Sequence, residues 1–284
     1  MSTEATFWDG VLSAAAPAWG REPSPAVDLL AARLAPGARV LVPGCGYGRN
    51  ALALAERGFH VTAYDYSPAG IARAQTHAAH PRVRYLVHDA LAPTDPAALT
   101  SANPDTVAPA ALPTAANPDP VALAAALPTD APAGAPAVPV PTDAYAAAPA
   151  AHAPTVPVPA HPAAPNPQLY DGVLCHFFLH LFRASERQRI VAGLRAALAP
   201  GGLLLATGLS TRCPFYGNGE ELEPDTWSNP GWVPIHFYTP ATLAAELAPL
   251  TVLDAHERDE PEDKPAGRTL TPAVYVLAQQ PPRL

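Results

Sequence analysis

The chain is 284 residues long, carries a formal net charge of −8, and has 38 prolines, 18 glycines and three cysteines. That length suits one large domain, or one domain with an insert. Three scattered cysteines without a CxxC pair exclude a disulfide scaffold and a zinc knuckle and fit a reduced, cytoplasmic setting, while the acidic balance argues against nucleic acid as a partner, MSTEATFWDG lacks the parts of a signal peptide, and no apolar run of about 18 residues predicts a membrane span.

Ser24-Pro25 opens a helix with a serine cap and a proline at the first helical position. Val27, Leu30 and Leu34 share one face, and Gly37 ends it. Residues 39–43, RVLVP, read as a short apolar strand that runs into the turn Gly44-Cys45-Gly46-Tyr47-Gly48. A helix over 50–57, a strand over 59–65, a helix begun by Ser67-Pro68 and a strand over 83–88 follow, the last ending in Asp89.

Composition then changes. Residues 92–168 number 77, of which 46 are Ala or Pro, with no Lys, Arg or Glu and with Tyr145 as the one aromatic. Such a stretch cannot bury enough apolar surface to offset its ordering entropy, and it is expected to be a low-complexity, disordered insert in an existing fold. The sharper reading makes it a docking arm for a protein partner. Beyond it come a strand over 170–177, a helix over 185–198, a break at Pro200-Gly201-Gly202, a strand over 203–209, a helix over 240–247 and strands over 251–257 and 273–278. Strands and helices alternate on both sides of the insert, which predicts an α/β fold with an open, mostly parallel sheet of seven strands and helices on both faces. Without the insert, Asp89 and Asp171 are expected to be joined by a loop of ordinary length.

In such sheets ligands sit at the carboxyl ends of the strands. Three glycines in five residues let a ligand approach the backbone. The turn is not GxGxxG, because Arg49 stands where the third glycine belongs, and it is not a P-loop. Asp65, 21 residues after Gly44, ends the next strand and can accept from two ribose hydroxyls; Asp89 ends the third strand and can receive an adenine amino group. Alternatively, both acids cap the turns that follow them.

The run VLVPGCGYGRNALALAERGFHVTAYDYSPAGIARA resembles the core of class I S-adenosylmethionine-dependent methyltransferases. LVPGCG is similar to the thiopurine and thiol methyltransferase branch and GYGRNALALAERG to the tellurite-resistance branch; DGVLCHFFLHLF and LAPGGLLLA match the fourth strand and the turn before the fifth. The resemblance covers residues 6–91 and 169–278. It implies a Rossmann-like domain in two parts, 1–91 and 169–284, around the insert, with S-adenosylmethionine as cofactor. It also implies cofactor contacts from Trp8, Trp19, Gly44, Gly46, Asp65, Asp89 and Ala90, with His176 where relatives often carry a tyrosine; Cys45 and Gly48 share the turn, Tyr66 follows Asp65, and they are counted with these contacts.

A sulfonium methyl is already activated, so the protein's work is to position an acceptor in line. Aromatic faces of Trp8 and Trp19 would attract the cation, or else they pack an N-terminal arm onto the core. A soft acceptor (thiol, thiopurine-like or chalcogen) needs little base catalysis, whereas a hydroxyl or amine wants a general base, for which His176, His180 and His236 are the candidates. His176 and His180 lack a third metal ligand, so no metal is expected. Residues 211–238 are rich in aromatics, Gly and Pro and read as a substrate lid, with Phe215, Tyr216, Trp227, Trp232 and His236 lining an apolar pocket, or as a surface loop with its own cluster. Two rivals remain: a nucleotide- or NAD-binding oxidoreductase of Rossmann-like fold, and a non-catalytic scaffold that uses the insert to bind a partner.

Overall fold

The apolar strand RVLVP carries Val40, Leu41 and Val42 in full burial, as a strand covered on both faces requires. It is β1 (Arg39–Pro43), at the centre of a computed structural model that describes residues 3–13, 18–92, 169–229, 232–264 and 267–282. The insert expected over 92–168 lies outside the described residues from position 93 onward. In chain order the remaining elements are α1 (Thr3–Ser13), α2 (Ala26–Ala31), α3 (Arg49–Glu56), β2 (His60–Asp65), α4 (Pro68–His77), β3 (Val83–Val87), β4 (Tyr170–His176), a 3-10 turn (Leu179–Leu181), α5 (Ala184–Ala197), β5 (Leu198–Leu209), β6 (Glu221–Glu223), β7 (Thr226–Trp227), β8 (Ile235–His236), α6 (Pro240–Glu246), β9 (Thr251–Lys264) and β10 (Gly267–Gln279).

The main sheet has seven strands in the order β3-β2-β1-β4-β5-β10-β9. Strands β1 to β5 pair in parallel, and β10 runs antiparallel to both β5 and β9. This is a Rossmann-like, mostly parallel sheet. Alternation along each strand splits the core into two layers. Val40, Val42, Leu174 and Leu205 face Leu30 of α2 and Leu54 of α3, while Leu41, Val173, Cys175 and Leu204 face Ile190 and Leu194 of α5 and Leu243 of α6. Ser67 caps α4 as its sequence implies: its Oγ accepts the Gly70 N–H at 3.0 Å, with Pro68 in the first turn.

Three boundaries differ from expectation. The helix begun at Ser24 is short, because α2 ends at Ala31 and the chain turns before Gly37. Strand β5 starts at Leu198, directly after α5, and its Pro-Gly-Gly stretch is absorbed as an irregularity opposite Tyr170 and Gly172. The last two strands are far longer than 251–257 and 273–278 and form one hairpin paired from Thr251↔Gln279 to Lys264↔Gly267.

The parallel pairing also corrects the loop of ordinary length expected between Asp89 and Asp171. β3 ends at the carboxyl edge of the sheet and β4 begins at the opposite edge, three strands away in the order. A parallel connection of that kind needs a crossover of a dozen or more residues, not a turn. Residues 211–238 hold a second sheet, β6-β7-β8, with its own apolar cluster of Cys213, Ile235 and Phe237. No helix among the described residues is long and apolar enough to cross a membrane.

Candidate active site

Between the carboxyl ends of β1 to β5, α1 and residues 211–238 lies a cleft of about 400 Å³. Its floor is the glycine turn. Gly44, Gly46 and Gly48 have φ of 60°, 53° and 87°, a region that side chains rarely adopt. Space is tight as well: a Cβ on Gly44 would stand 2.2 Å from the Phe178 ring. Asp65, at the end of β2, holds this turn. Its Oδ2 accepts the Gly46 N–H at 2.9 Å and its Oδ1 accepts the Ser67 N–H at 3.0 Å. The turn-capping alternative is therefore realised, yet each oxygen keeps a second lone pair and the residue lines the cleft. Burial raises the Asp65 carboxyl above its usual range, against the backbone N–H groups of Ser67, Gly46 and Tyr66 that lower it, and Asp9 adds to the rise.

Of the positions expected at a cofactor, Trp8, Trp19, Gly44, Cys45, Gly46, Asp65, Tyr66, Asp89, Ala90 and His176 all line this one cleft. Gly48 does not: it caps α3 with a left-handed backbone and lies under Tyr85, whose hydroxyl a Cβ would meet at 2.6 Å. Asp89 caps its own turn, with Oδ1 accepting the Leu91 N–H at 2.9 Å. Trp8 and Trp19 line the cleft and also pack the N-terminal arm against its neighbours. Trp8 packs edge-on against Trp232 at 5.8 Å and tilts over Trp19 at 6.2 Å, and Trp19 stacks on Tyr47. Asp9 fastens α1 to the start of α4 by accepting from the Ser67 hydroxyl and the Ala69 N–H.

Residues 211–238 split. Phe215 and Trp232 line the cleft, together with Asn229, Val233 and Ile235. Tyr216, Trp227 and His236 do not. Tyr216 faces outward, its hydroxyl donating to Asp225 Oδ1 at 2.7 Å. His236 is buried in the small sheet, bonded to Thr226 Oγ1 at 2.8 Å and set edge-on to Tyr238. The segment is thus both a cleft wall and a small folded unit.

The three histidines considered as bases are all weak ones. Burial first, then Arg49, lowers His176 to about 3, with Glu262 opposing. Burial, then His176 and His236, lowers His180 to about 3. Burial, then Arg187, lowers His236 to about 4 against the acids Asp225 and Glu223. His176 and His180 line the cleft, but the ring nitrogens of His176 are turned to Thr207 Oγ1, at 2.9 Å, and Glu260. Cys45 is a poor nucleophile, since burial and Asp65 push its thiol well up. Among the described residues no group of three or more His, Cys, Asp or Glu is placed to hold a metal ion.

Sequence reasoning missed part of the wall. Arg49, read only as a break in a fingerprint, lines the cleft while its Nη1 donates to the Trp19 and Glu22 carbonyls. Glu262 and Thr271 line it from the long hairpin, joined by a 2.7 Å bond from the Thr271 hydroxyl. The signal lies in strand alternation across ERDEPE: Glu257 and Asp259 face out to Arg212, while Glu260 and Glu262 face in and are buried.

Comparison with curated proteins gives no match. Among solved structures the chain is similar to a SAM-dependent methyltransferase from Anabaena variabilis, at 14% identity and a TM-score of 0.60 over 98% of this chain and 93% of that one. It is similar to another from Methanosarcina mazei, at 14% and 0.57 over 92% and 100%. It is also similar to the 1,6-didemethyltoxoflavin-N1-methyltransferase of Burkholderia thailandensis, solved with 1,6-didemethyltoxoflavin and S-adenosylhomocysteine, at 18% and 0.52 over 90% and 77%. At such identities the likeness is one of fold. The sequence itself matches the methyltransferase-domain family over residues 18–248, from before α2 to the end of α6, which decides between a methyltransferase and an oxidoreductase on this sheet, and the chain belongs to that methyltransferase family.

Proposed function

We propose that the chain methylates a small-molecule acceptor with a soft nucleophile, a thiol, thiopurine-like or chalcogen compound, using S-adenosylmethionine. The cleft fits that donor on three counts. Its volume is in the range of small-ligand sites. A carboxylate with spare lone pairs, Asp65, stands at the end of the strand beside the glycine turn. Aromatic faces of Trp8 and Trp19 close one side. Asp65 would hold the ribose hydroxyls and Asp89 the adenine amino group, while the two tryptophans attract positive charge. The donor supplies a methyl group on a sulfonium, an electrophile that needs no further activation. The chain's own part is to exclude water, through α1 and Trp232, and to hold the acceptor in line.

One observation carries the acceptor class: the histidines of the cleft are held near 3 by burial, far below a useful base at neutral pH. The acids of the lining already accept local bonds: Asp65 from the glycine turn, Asp89 from Leu91, Glu186 from the Arg183 N–H and Glu262 from Thr271. A nucleophile that is already deprotonated, or is soft enough to react without losing its proton first, suits such a wall. Calorimetry with S-adenosylhomocysteine tests the donor: Asp65→Asn is expected to weaken binding about tenfold or more, the loss of a charge-assisted pair of bonds. Methyl transfer from labelled donor to thiols, chalcogenides, amines and alcohols at neutral pH tests the acceptor. Thiols and chalcogenides are expected to be methylated; transfer to amines or alcohols alone would overturn the soft-acceptor reading.

A further inference from the structure

The wall of the cleft at the end of β4 is tied to the long β9–β10 hairpin by buried polar groups to which the proposed methyl transfer gives no role. Thr207 is buried, and its Oγ1 accepts the Phe177 N–H at 3.0 Å. Its own proton then has one acceptor among the described residues, His176 Nδ1 at 2.9 Å. A neutral imidazole that accepts at Nδ1 carries its proton on Nε2. That nitrogen is enclosed without a formed hydrogen bond and stands 3.5 Å from Glu260 Oε1, which is also enclosed and unmatched. The other Glu260 oxygen accepts from the Tyr275 hydroxyl. Read from Phe177 to Tyr275, this one tautomer turns each donor toward an acceptor, the Nε2–H facing Glu260 Oε1 at 3.5 Å.

The backbone points the same way. Phe177 has φ 45°, a left-handed conformation that a bulky residue keeps only where its surroundings hold it. Here the hold is Thr207 again, through both its hydroxyl and, at 3.2 Å, its carbonyl. The charged and titratable groups facing His176 are Arg49 from α3, Glu260 and Glu262 from β9, and His180 from the turn after β4. Glu260 and Tyr275 lie beyond residues 18–248, so the family match does not cover this link.

We propose that Thr207, Glu260 and Tyr275 are positioning residues that lock His176 as an uncharged ring with its proton on Nε2, so that this wall of the cleft stays fixed and does not repel a cationic donor. The lock itself stands on the geometry; its use rests on the proposed S-adenosylmethionine site. A charged His176 would set like charge against a sulfonium, and a proton on Nδ1 would reverse the Thr207 bond and leave the Thr207 hydroxyl proton without an acceptor among the described residues.

The full chain labelled with 15N-histidine tests this, the His176 signals being assigned by their loss in His176→Gln. Expected is a protonated Nε2 and a bare Nδ1 across about pH 5.5–8, the range where an ordinary histidine titrates. A proton on Nδ1, or titration within that range, overturns the proposal. The readout itself is made on the unsubstituted chain, and should His176→Gln not fold, through-bond assignment of the 13C,15N-labelled unsubstituted chain identifies the same signals. Calorimetry with S-adenosylhomocysteine then separates positioning from bulk packing. Thr207→Val is expected to weaken binding about fivefold, one buried hydrogen bond's worth, while Thr207→Ser, which restores the hydroxyl, stays within about twofold. Equal behaviour of the two variants overturns the positioning role. An unsubstituted chain with the expected tautomer but no affinity for S-adenosylhomocysteine upholds the lock and overturns the donor reading instead.

Discussion

Gly44 shows why a glycine-rich turn cannot be read from ligand approach alone. Its missing side chain makes room for the chain's own Phe178 ring, 2.2 Å from where a Cβ would be, and its φ of 60° adds a second penalty for any replacement. Gly44→Ala is expected to cost about 2–4 kcal/mol, from strained φ plus overpacking. Combined with Phe178→Leu, the pair should cost about 1 kcal/mol less than the two changes added; urea denaturation of the four proteins checks it, and strict additivity means the ring is not what the methyl meets. The buried histidines make a second residue-scale prediction. His176 and His180 sit near 3 and His236 near 4 in the fold, against an ordinary 6.5. Below that ordinary value the unfolded chain takes up protons that the folded chain refuses, so stability falls as pH drops, by about 1.4 kcal/mol per pH unit for each such proton. Asp65 and Glu260, raised by burial, act in the opposite sense and reduce the net slope. The urea midpoint is expected to fall between about pH 7 and pH 5, and His180→Asn to flatten that fall.

At the scale of elements, α1 is tied to α4 by the Asp9 carboxylate and by Arg73, whose Nη1 donates to the Leu12 carbonyl at 3.1 Å. Asp9 accepts from Ser67 and Ala69 at the start of α4, where the helix dipole favours negative charge. Asp9→Ala should therefore cost about 1 kcal/mol and loosen the contacts of Trp8 with Trp19 and Trp232, seen as a red shift of tryptophan emission. An unchanged spectrum would show that ring packing and the Arg73 bond hold the arm without Asp9. Much of the element order was legible because local chemistry decides it: Ser67-Pro68 starts a helix, the apolar RVLVP forms a central strand, and Asp65 closes β2. The long hairpin was not legible. PEDK reads as solvated loop, and only pairing with β10, which buries Glu260 and Glu262 against Tyr275 and Thr271, makes it strand. The cleft was legible where backbone geometry builds it, and illegible where tertiary packing chooses which side chains turn inward. Tyr216 and His236 look as apt as Phe215 and Trp232 in the sequence, yet the small sheet turns the first outward and holds the second in its own packing.

For the whole molecule, the sheet order makes the segment between β3 and β4 a crossover. β4 is 7 residues long, about 23 Å at strand rise, and three strand spacings add about 14 Å sideways. An extended chain needs about 8 residues to cover that diagonal and about 15 to pass over the sheet. Fusing residue 92 directly to 169 is therefore expected to abolish folding, whereas a flexible linker of about 15–20 residues in place of 93–168 should keep affinity for S-adenosylhomocysteine within about threefold, because loop length costs little once closure is possible. Circular dichroism and calorimetry read both. A partner of the 92–168 segment would be lost from the linker version with methyl transfer retained; loss of transfer with the fold intact would give that segment a part in the reaction.

The same order has a meaning on the ribosome. β1 finds its outer neighbour in Gly172 and Val173, on the far side of 77 residues rich in Ala and Pro. At roughly 5–20 residues per second that stretch takes about 4–15 s to translate. Any sheet that β1 to β3 form in those seconds ends at Val40 and Leu41, with a strand destined for the middle of the protein as its open edge.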